Sequence, residues 1–370
     1  MEVSLPRFLA EQESERRETE RLFVELVSSN RAERRAALAE DRFQQLALVD
    51  RLLAGARSAL PSAPAAAEEL ANLATALSER LGDADERREG RARAACSIAH
   101  ARRIGGDPTG AEQALSAATL YAACGEEQAE LCRALAILRW EEGRLDEAAG
   151  LLERAAELWA GEEVVHEQEA CRVLRALLMI DEGRARDAVE MLRDGLPLLV
   201  DPWLAIHGGL ALALGLAEQG QAERARRQRA ESERLVPAGP SPAHLFALRL
   251  EGEIALSLGE HETAERMLEE LRREALAHRW LPEAAVATLY LARLDLERHG
   301  ERTAAEERVD ELAAASAGTA GLVGVLAALQ QFPEQLPEGE SLPELTTSLS
   351  ALFLRLLRLR GIRGAPLPFA

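Results

Sequence analysis

Residues 143–152 read GRLDEAAGLL, and this stretch decides the fold. Gly143 follows a run with helical apolar spacing, AELCRALAILRWEE, and lets the chain leave a helix in a left-handed conformation. Acidic and small residues then open a second helix. Ala148 comes five residues after the glycine, where two helices that approach closely leave room for little more than a methyl. Leu152 comes four residues later on the same helical face. The frame recurs outward in both directions. Gly106, Gly183, Gly220, Gly259 and Gly300 are each followed five residues later by alanine, at Ala111, Ala188, Ala225, Ala264 and Ala305. The successive glycines lie 37, 40, 37, 39 and 41 residues apart. A near-constant period of this size marks a helical array, because two short amphipathic helices cannot bury both faces alone and the pairs must stack.

The unit resembles the tetratricopeptide repeat (TPR) family over roughly residues 61–313. Ala99, Ala136, Ala176, Ala213 and Gly252 stand where that family has a small residue in its first helix. Leu115, Leu152, Leu192 and Leu268 match its large apolar position, and Ala118 and Ala155 its late second-helix alanine. The period exceeds the family's usual length of about 34. Most first-helix aromatics are missing, Arg229 replaces a large apolar residue in the fourth unit, and Arg293 replaces a small one in the sixth. The resemblance implies an all-α, right-handed superhelical solenoid of six to seven helix-turn-helix repeats. It also implies a concave groove lined by the first helices. Carried over by position, the groove residues are Arg93, His100, Arg103, Arg133, Trp140, Leu177, Leu210, Phe246, Arg249, Glu253 and Tyr290. An apolar centre flanked by arginines suits a peptide or partner helix with an acidic end, since Arg forks onto a carboxylate.

Around the array, residues 1–60 read as charged N-terminal helices plus the first helix of a degenerate repeat at 41–81, whose second helix opens near Pro64. Residues 314–344 read as a helix and a Pro/Glu-rich loop. Residues 345–370 read as a C-terminal helix and tail that cap the array, with Leu352, Leu356 and Leu359 on one face. That helix is also the expected route of any self-association.

Composition narrows the function. The 370 residues carry 63 acidic and 44 basic side chains, for a net charge of −19, which argues against sequence-independent binding to nucleic acid. All 44 basic residues are arginine, as a GC-rich genome would encode. Without lysine there is no P-loop NTPase, no ATP-pairing lysine of a protein kinase and no Schiff-base chemistry. Aromatics are 4%, too sparse for a base-stacking platform. Cys96, Cys124, Cys132 and Cys171 contain no CxxC pair and read as small core residues. No apolar signal core or long apolar run occurs, so a soluble cytoplasmic setting is expected, with no membrane contact. His166, Glu169 and Cys171 lie close together but supply too few convergent donors for a metal. The arginines of 223–234 are offset by Glu223, Glu231 and Glu233, as on a solvated helix face. No catalytic residue, cofactor or metal is assigned. The expected function is a non-catalytic protein-binding scaffold or regulatory adaptor. The rival is a transcription-linked or signalling regulator whose N-terminal helices touch a sigma factor or nucleic acid, or a regulatory subunit of a bacterial conflict enzyme.

Overall fold

The computed structural model describes residues 5–60, 62–235 and 242–299, together with residues 307–308, 346–347, 350–351, 354–355, 358 and 365–367. The sixth repeat's turn (Gly300, Ala305), the expected helix and loop at 314–344, and Leu352, Leu356 and Leu359 lie outside the described residues. Among the described residues there are fifteen α-helices and no strand, and neighbouring helices pack in series. The chain forms two compact units, Met1–Ala134 and Leu135–Phe369.

The first unit holds α1 (Leu5–Ser28), α2 (Arg31–Ala37), α3 (Leu46–Ala59), α4 (Pro64–Ser78), α5 (Ala84–Gly105), α6 (Pro108–Thr119) and the first turns of α7 (Gly125–Glu141). Local chemistry sets the boundaries. Asn30 and Glu33 form a reciprocal capping box on α2, Pro64 takes the first helical position of α4, and Asp83 and Asp107 cap α5 and α6. Arg34 reaches back to the carbonyls of Leu26 and Val27, closing the end of α1. Helix α3 packs on α4, α4 on α5 and α5 on α6, so the degenerate repeat at 41–81 is a genuine hairpin. Its core includes Leu22, Leu26, Phe43, Leu48, Leu52 and Leu77, all fully buried.

The second unit continues with α8 (Leu145–Gly161), α9 (Val165–Asp181), α10 (Ala185–Gly195), α11 (Pro202–Glu218), α12 (Ala222–Glu233), α13 (Pro242–Ser257), α14 (His261–Ala277) and α15 (Leu281–His299). Sequential pairs pack against one another, and the first helices also meet, α9 on α11 and α11 on α13. The signature residues play the parts their spacing predicts. Gly106, Gly143, Gly183, Gly220 and Gly259 have φ between 73° and 89°. The alanine five residues after each of these is at most 1% exposed. A Cβ at Gly252 would lie 2.8 Å from Leu268, so the small first-helix residue and the large second-helix residue of that hairpin touch.

Helix α11 departs from amphipathic helices. Every residue from Leu204 to Ala217 except Ala205 is buried, because neighbours close on it from several sides. A Cβ on Gly215 would lie 2.6 Å from the Ala185 carbonyl oxygen, and one on Gly209 would lie 2.3 Å from the Ser232 hydroxyl. Arg229, at the position expected to be apolar, keeps its guanidinium on Glu260 at 2.7 Å. Arg293, at the expected small position, is buried with Glu297 at 2.8 Å. Two second-to-first helix turns use no glycine: Glu163 and Arg279 adopt φ of 59° and 58°. None of the helices formed by described residues is long and apolar enough to cross a membrane.

Candidate functional site

Three first helices of the second unit end on a carboxylate. Glu141, Asp181 and Glu218 are the last residues of α7, α9 and α11, each two positions before a turn glycine. A negative charge at a helix C-terminus opposes the helix dipole, so this register is locally unfavourable and needs compensation from elsewhere.

Asp181 receives the most. The carboxylate is 3% exposed and accepts three hydrogen bonds from distant parts of the chain. The Trp140 indole N–H donates at 2.7 Å, Arg249 Nη2 of α13 at 2.5 Å, and Arg358 Nη1 at 3.1 Å. Burial alone would push the Asp181 carboxyl up. Arg249 and Arg358, with the indole, outweigh it and hold the carboxyl below the usual range. Arg358 also reaches Glu283 in the first turn of α15 at 3.4 Å. Glu283 accepts the Ala365 backbone N–H at 3.0 Å, and Glu141 accepts that of Leu367 at 2.5 Å.

The C-terminal segment therefore lies across the ends of several first helices. Residues 346–347, 350–351, 354–355 and 358 are helical and recur at helical spacing. Thr346, Ser350, Leu354 and Arg358 are buried. Thr347 and Ala351 pack over Gly183, and the Tyr290 hydroxyl bonds to Thr347. Arg355 faces outward and pairs with Asp146 at 2.9 Å. The described residues of this segment thus meet elements from α7 and the first turn of α8 to α15.

A narrow crevice lies beside this segment, lined among others by Asp181, Glu218, Arg249, Glu253, Tyr290 and Thr347. Glu253 stands 3.6 Å from Arg249. Burial pushes its carboxyl up to about 7. Arg249 opposes the shift, while Glu218 and Asp181 add to it. Burial likewise raises Glu218, Glu283 and the Tyr290 phenol.

The sequence-derived site residues divide into three groups. Trp140, Arg249, Phe246, Glu253 and Tyr290 gather around Asp181. Phe246 is half-buried, edge-on to His207 at 5.2 Å, with the Arg249 guanidinium 5.0 Å from its ring centre. Leu177 and Leu210 are fully buried in the core of the same unit. Arg93, His100, Arg103 and Arg133 belong to the first unit. There Arg93 holds Asp50 at 2.7 Å and Glu89 at 3.0 Å, while Arg133 lies 3.8 Å from Glu130. His100 and Arg103 are buried, and burial together with Arg103, Arg133 and Arg57 pushes the His100 imidazole well below its usual range.

Several other sequence readings meet their surroundings here. Arg133 and Arg249, expected to read an acidic partner, each already lie against a carboxylate of this acid-rich chain. In the 223–234 stretch, Arg226 and Arg229 are tied to Glu260. Among the N-terminal arginines, Arg17 pairs with Glu13 and Arg21 with Glu18. His166 is half exposed, and Glu169 is paired with Arg172. Cys96 and Cys171 are buried as expected, whereas Cys124 is exposed just before α7. Asp181, Glu141, Glu283 and Arg358 were absent from the sequence-derived site. Glu141 and Asp181 share a signal, an acidic residue two places before the turn glycine in consecutive repeats, whereas Glu283 and Arg358 have none. No protein-family model and no curated protein matches this chain, so its function has to be read from the site's own geometry.

Proposed function

We propose that the chain is a non-catalytic protein-binding scaffold, a regulatory adaptor built on TPR-like hairpins. It holds a partner peptide or helix against the side of the array formed by its first helices. One observation carries this reading. A segment more than a hundred residues distant in sequence from Asp181 already docks there in the manner of a bound peptide, through one buried arginine and two backbone N–H groups on carboxylates. Such a mixture of main-chain and anchor-residue contacts is how helical grooves hold extended or helical ligands. The half-buried Phe246 beside Arg249 supplies an aromatic contact at the edge of the same surface.

The test begins with affinity capture by the full chain from its native host, after nuclease treatment. Any stoichiometric protein is then purified and titrated against the unaltered chain and Phe246→Ala. The expected result is a loss of roughly fivefold or more in affinity with little change in melting temperature. A partner bound equally by both chains would remove this face as the docking surface. Partners that vanish with nuclease would replace the scaffold by a nucleic-acid-linked regulator.

A further inference from the structure

We infer that Asp181, Glu283 and Glu141 form a recognition site for an arginine-bearing helix followed by non-helical backbone, and that the chain's own Arg358, Ala365 and Leu367 occupy it as an internal ligand which a partner segment of the same chemistry replaces. This deepens the scaffold reading and rests on it.

The charge balance at the site comes first. The array side contributes Asp181, Glu253 and Glu283, with Glu218 beside them; Arg249 faces Asp181 and Glu253, and Arg186 lies 3.9 Å from Glu218. A buried acidic excess of this kind is unfavourable unless a cation joins it. Arg358 is that cation, 4% exposed at its side chain and shared between Asp181 and Glu283. The second argument is positional. Glu141 and Asp181 sit at the same register of successive repeats, each against its own helix dipole, and each takes a group from residues 358–367. The third is the form of the ligand. Ala365 and Leu367 offer backbone N–H groups with non-helical geometry, while Thr346, Ser350, Leu354 and Arg358 share one buried helical face. A partner is therefore recognised by a guanidinium on a helical face that also presents hydroxyl groups and a leucine, and by main-chain donors beyond it. An acidic segment would meet repulsion here.

The probe is a labelled synthetic peptide of residues 345–370, titrated by fluorescence anisotropy against the full chain and against the full chain carrying Arg358→Ala. The variant is expected to bind the peptide roughly tenfold or more tightly than the unaltered chain, because its internal competitor is weakened. A peptide carrying Arg358→Ala is expected to lose binding by a similar factor. Arg193→Ala in the chain, altering an exposed pair with Glu190 within α10, is expected to leave binding unchanged. Should Arg358→Ala fail to fold, Glu283→Gln keeps an acceptor for the Ala365 N–H while removing the charge. It is expected to raise hydrogen exchange at 346–358 without changing exchange in α9. Peptide binding that ignores Arg358, or unchanged exchange at 346–358 in both variants, would overturn the inference. A captured partner that stays bound at saturating peptide would also overturn it while leaving the scaffold reading intact.

Discussion

The two units bury charge in opposite ways. In the first, the buried cluster is basic, His100, Arg103 and Arg133, with Glu130 beside Arg133 only one helical turn away, while the buried Glu127 accepts the Ala123 and Cys124 backbone N–H groups. In the second, the centre is acidic, and its partners come from 41, 68 and 177 residues away in sequence. Burial acts on the titrating groups of both units. Burial and the neighbouring arginines keep His100 uncharged in the first, and burial raises Glu253 to about 7 in the second. The difference teaches which unit depends on distant sequence. The basic cluster draws on the hairpins around it, whereas the acidic centre is incomplete until Arg358 arrives.

The largest effect is expected at that centre. Asp181→Ala leaves Arg249 and Arg358 buried without their shared carboxylate and should destabilise the second unit by about 3–5 kcal/mol, read by chemical denaturation. A loss below about 1 kcal/mol would mean that both arginines find water, making the centre no more demanding than a surface pair.

Next come two glycines, one in each unit. Gly215→Ala forces a methyl against the Ala185 backbone carbonyl, which cannot swing aside, and should cost about 1–3 kcal/mol. At Gly90 the obstacle is the Ser78 hydroxyl, the end of a side chain that can rotate. Gly90→Ala should therefore be close to neutral, since alanine gains about 1 kcal/mol of helix propensity over glycine. Equal losses would show that both units are packed with the same rigidity.

The pH dependence should run in opposite directions. The Glu253 and Glu251 carboxyls are both raised from 4.5 to about 7, chiefly by burial, so the fold favours their protonated forms. Their stabilisation is complete below about 4.5 and is lost as pH rises through about 7. His100 is lowered from 6.5, so its contribution is present above 6.5 and is lost as pH falls below it. Hydrogen exchange at pH 5 and pH 8 should show α13 more protected at the lower pH and α5 at the higher. Parallel slopes would remove the contrast between the units. The smallest effect is expected on the surface of the second unit, where Arg226→Ala should leave the denaturation midpoint unchanged despite its bonds to Glu223 and Glu260.

The fold was legible because its rule is local. A glycine, an alanine five residues on and a leucine four beyond that specify one hairpin without reference to anything distant, and the described glycines and alanines adopt the expected φ and burial. Pro64 at the first position of α4 shows the same kind of legibility at a degenerate repeat. The site was legible in part. Trp140, Arg249 and Tyr290 followed from register, since first-helix positions recur on one side. Asp181 did not, because a lone acidic residue before a turn reads as solvated until Glu141 and Glu218 are set in the same column. Arg358 was the hardest to place. Its partners lie on α9 and α15, and no spacing within LFLRLLRLR points to either. Glu163 and Arg279 were hidden for a different reason: a left-handed turn normally advertises itself by glycine, and these two turns do not.

The carboxylates at the helix ends also limit how this protein can evolve. Repeat arrays change length readily, since duplicating or deleting one hairpin preserves every nearest-neighbour contact. Here Arg358, Ala365 and Leu367 touch helix ends of α7, α9 and α15, and those helices are held at fixed intervals by the hairpins between them. One extra repeat between Glu141 and Glu283 would carry the acceptors beyond the reach of a segment whose own donors are a fixed distance apart. The second unit is therefore locked in number by its own tail, and lineages that gain or lose hairpins there must lose this bridge or rebuild it with a tail of different length.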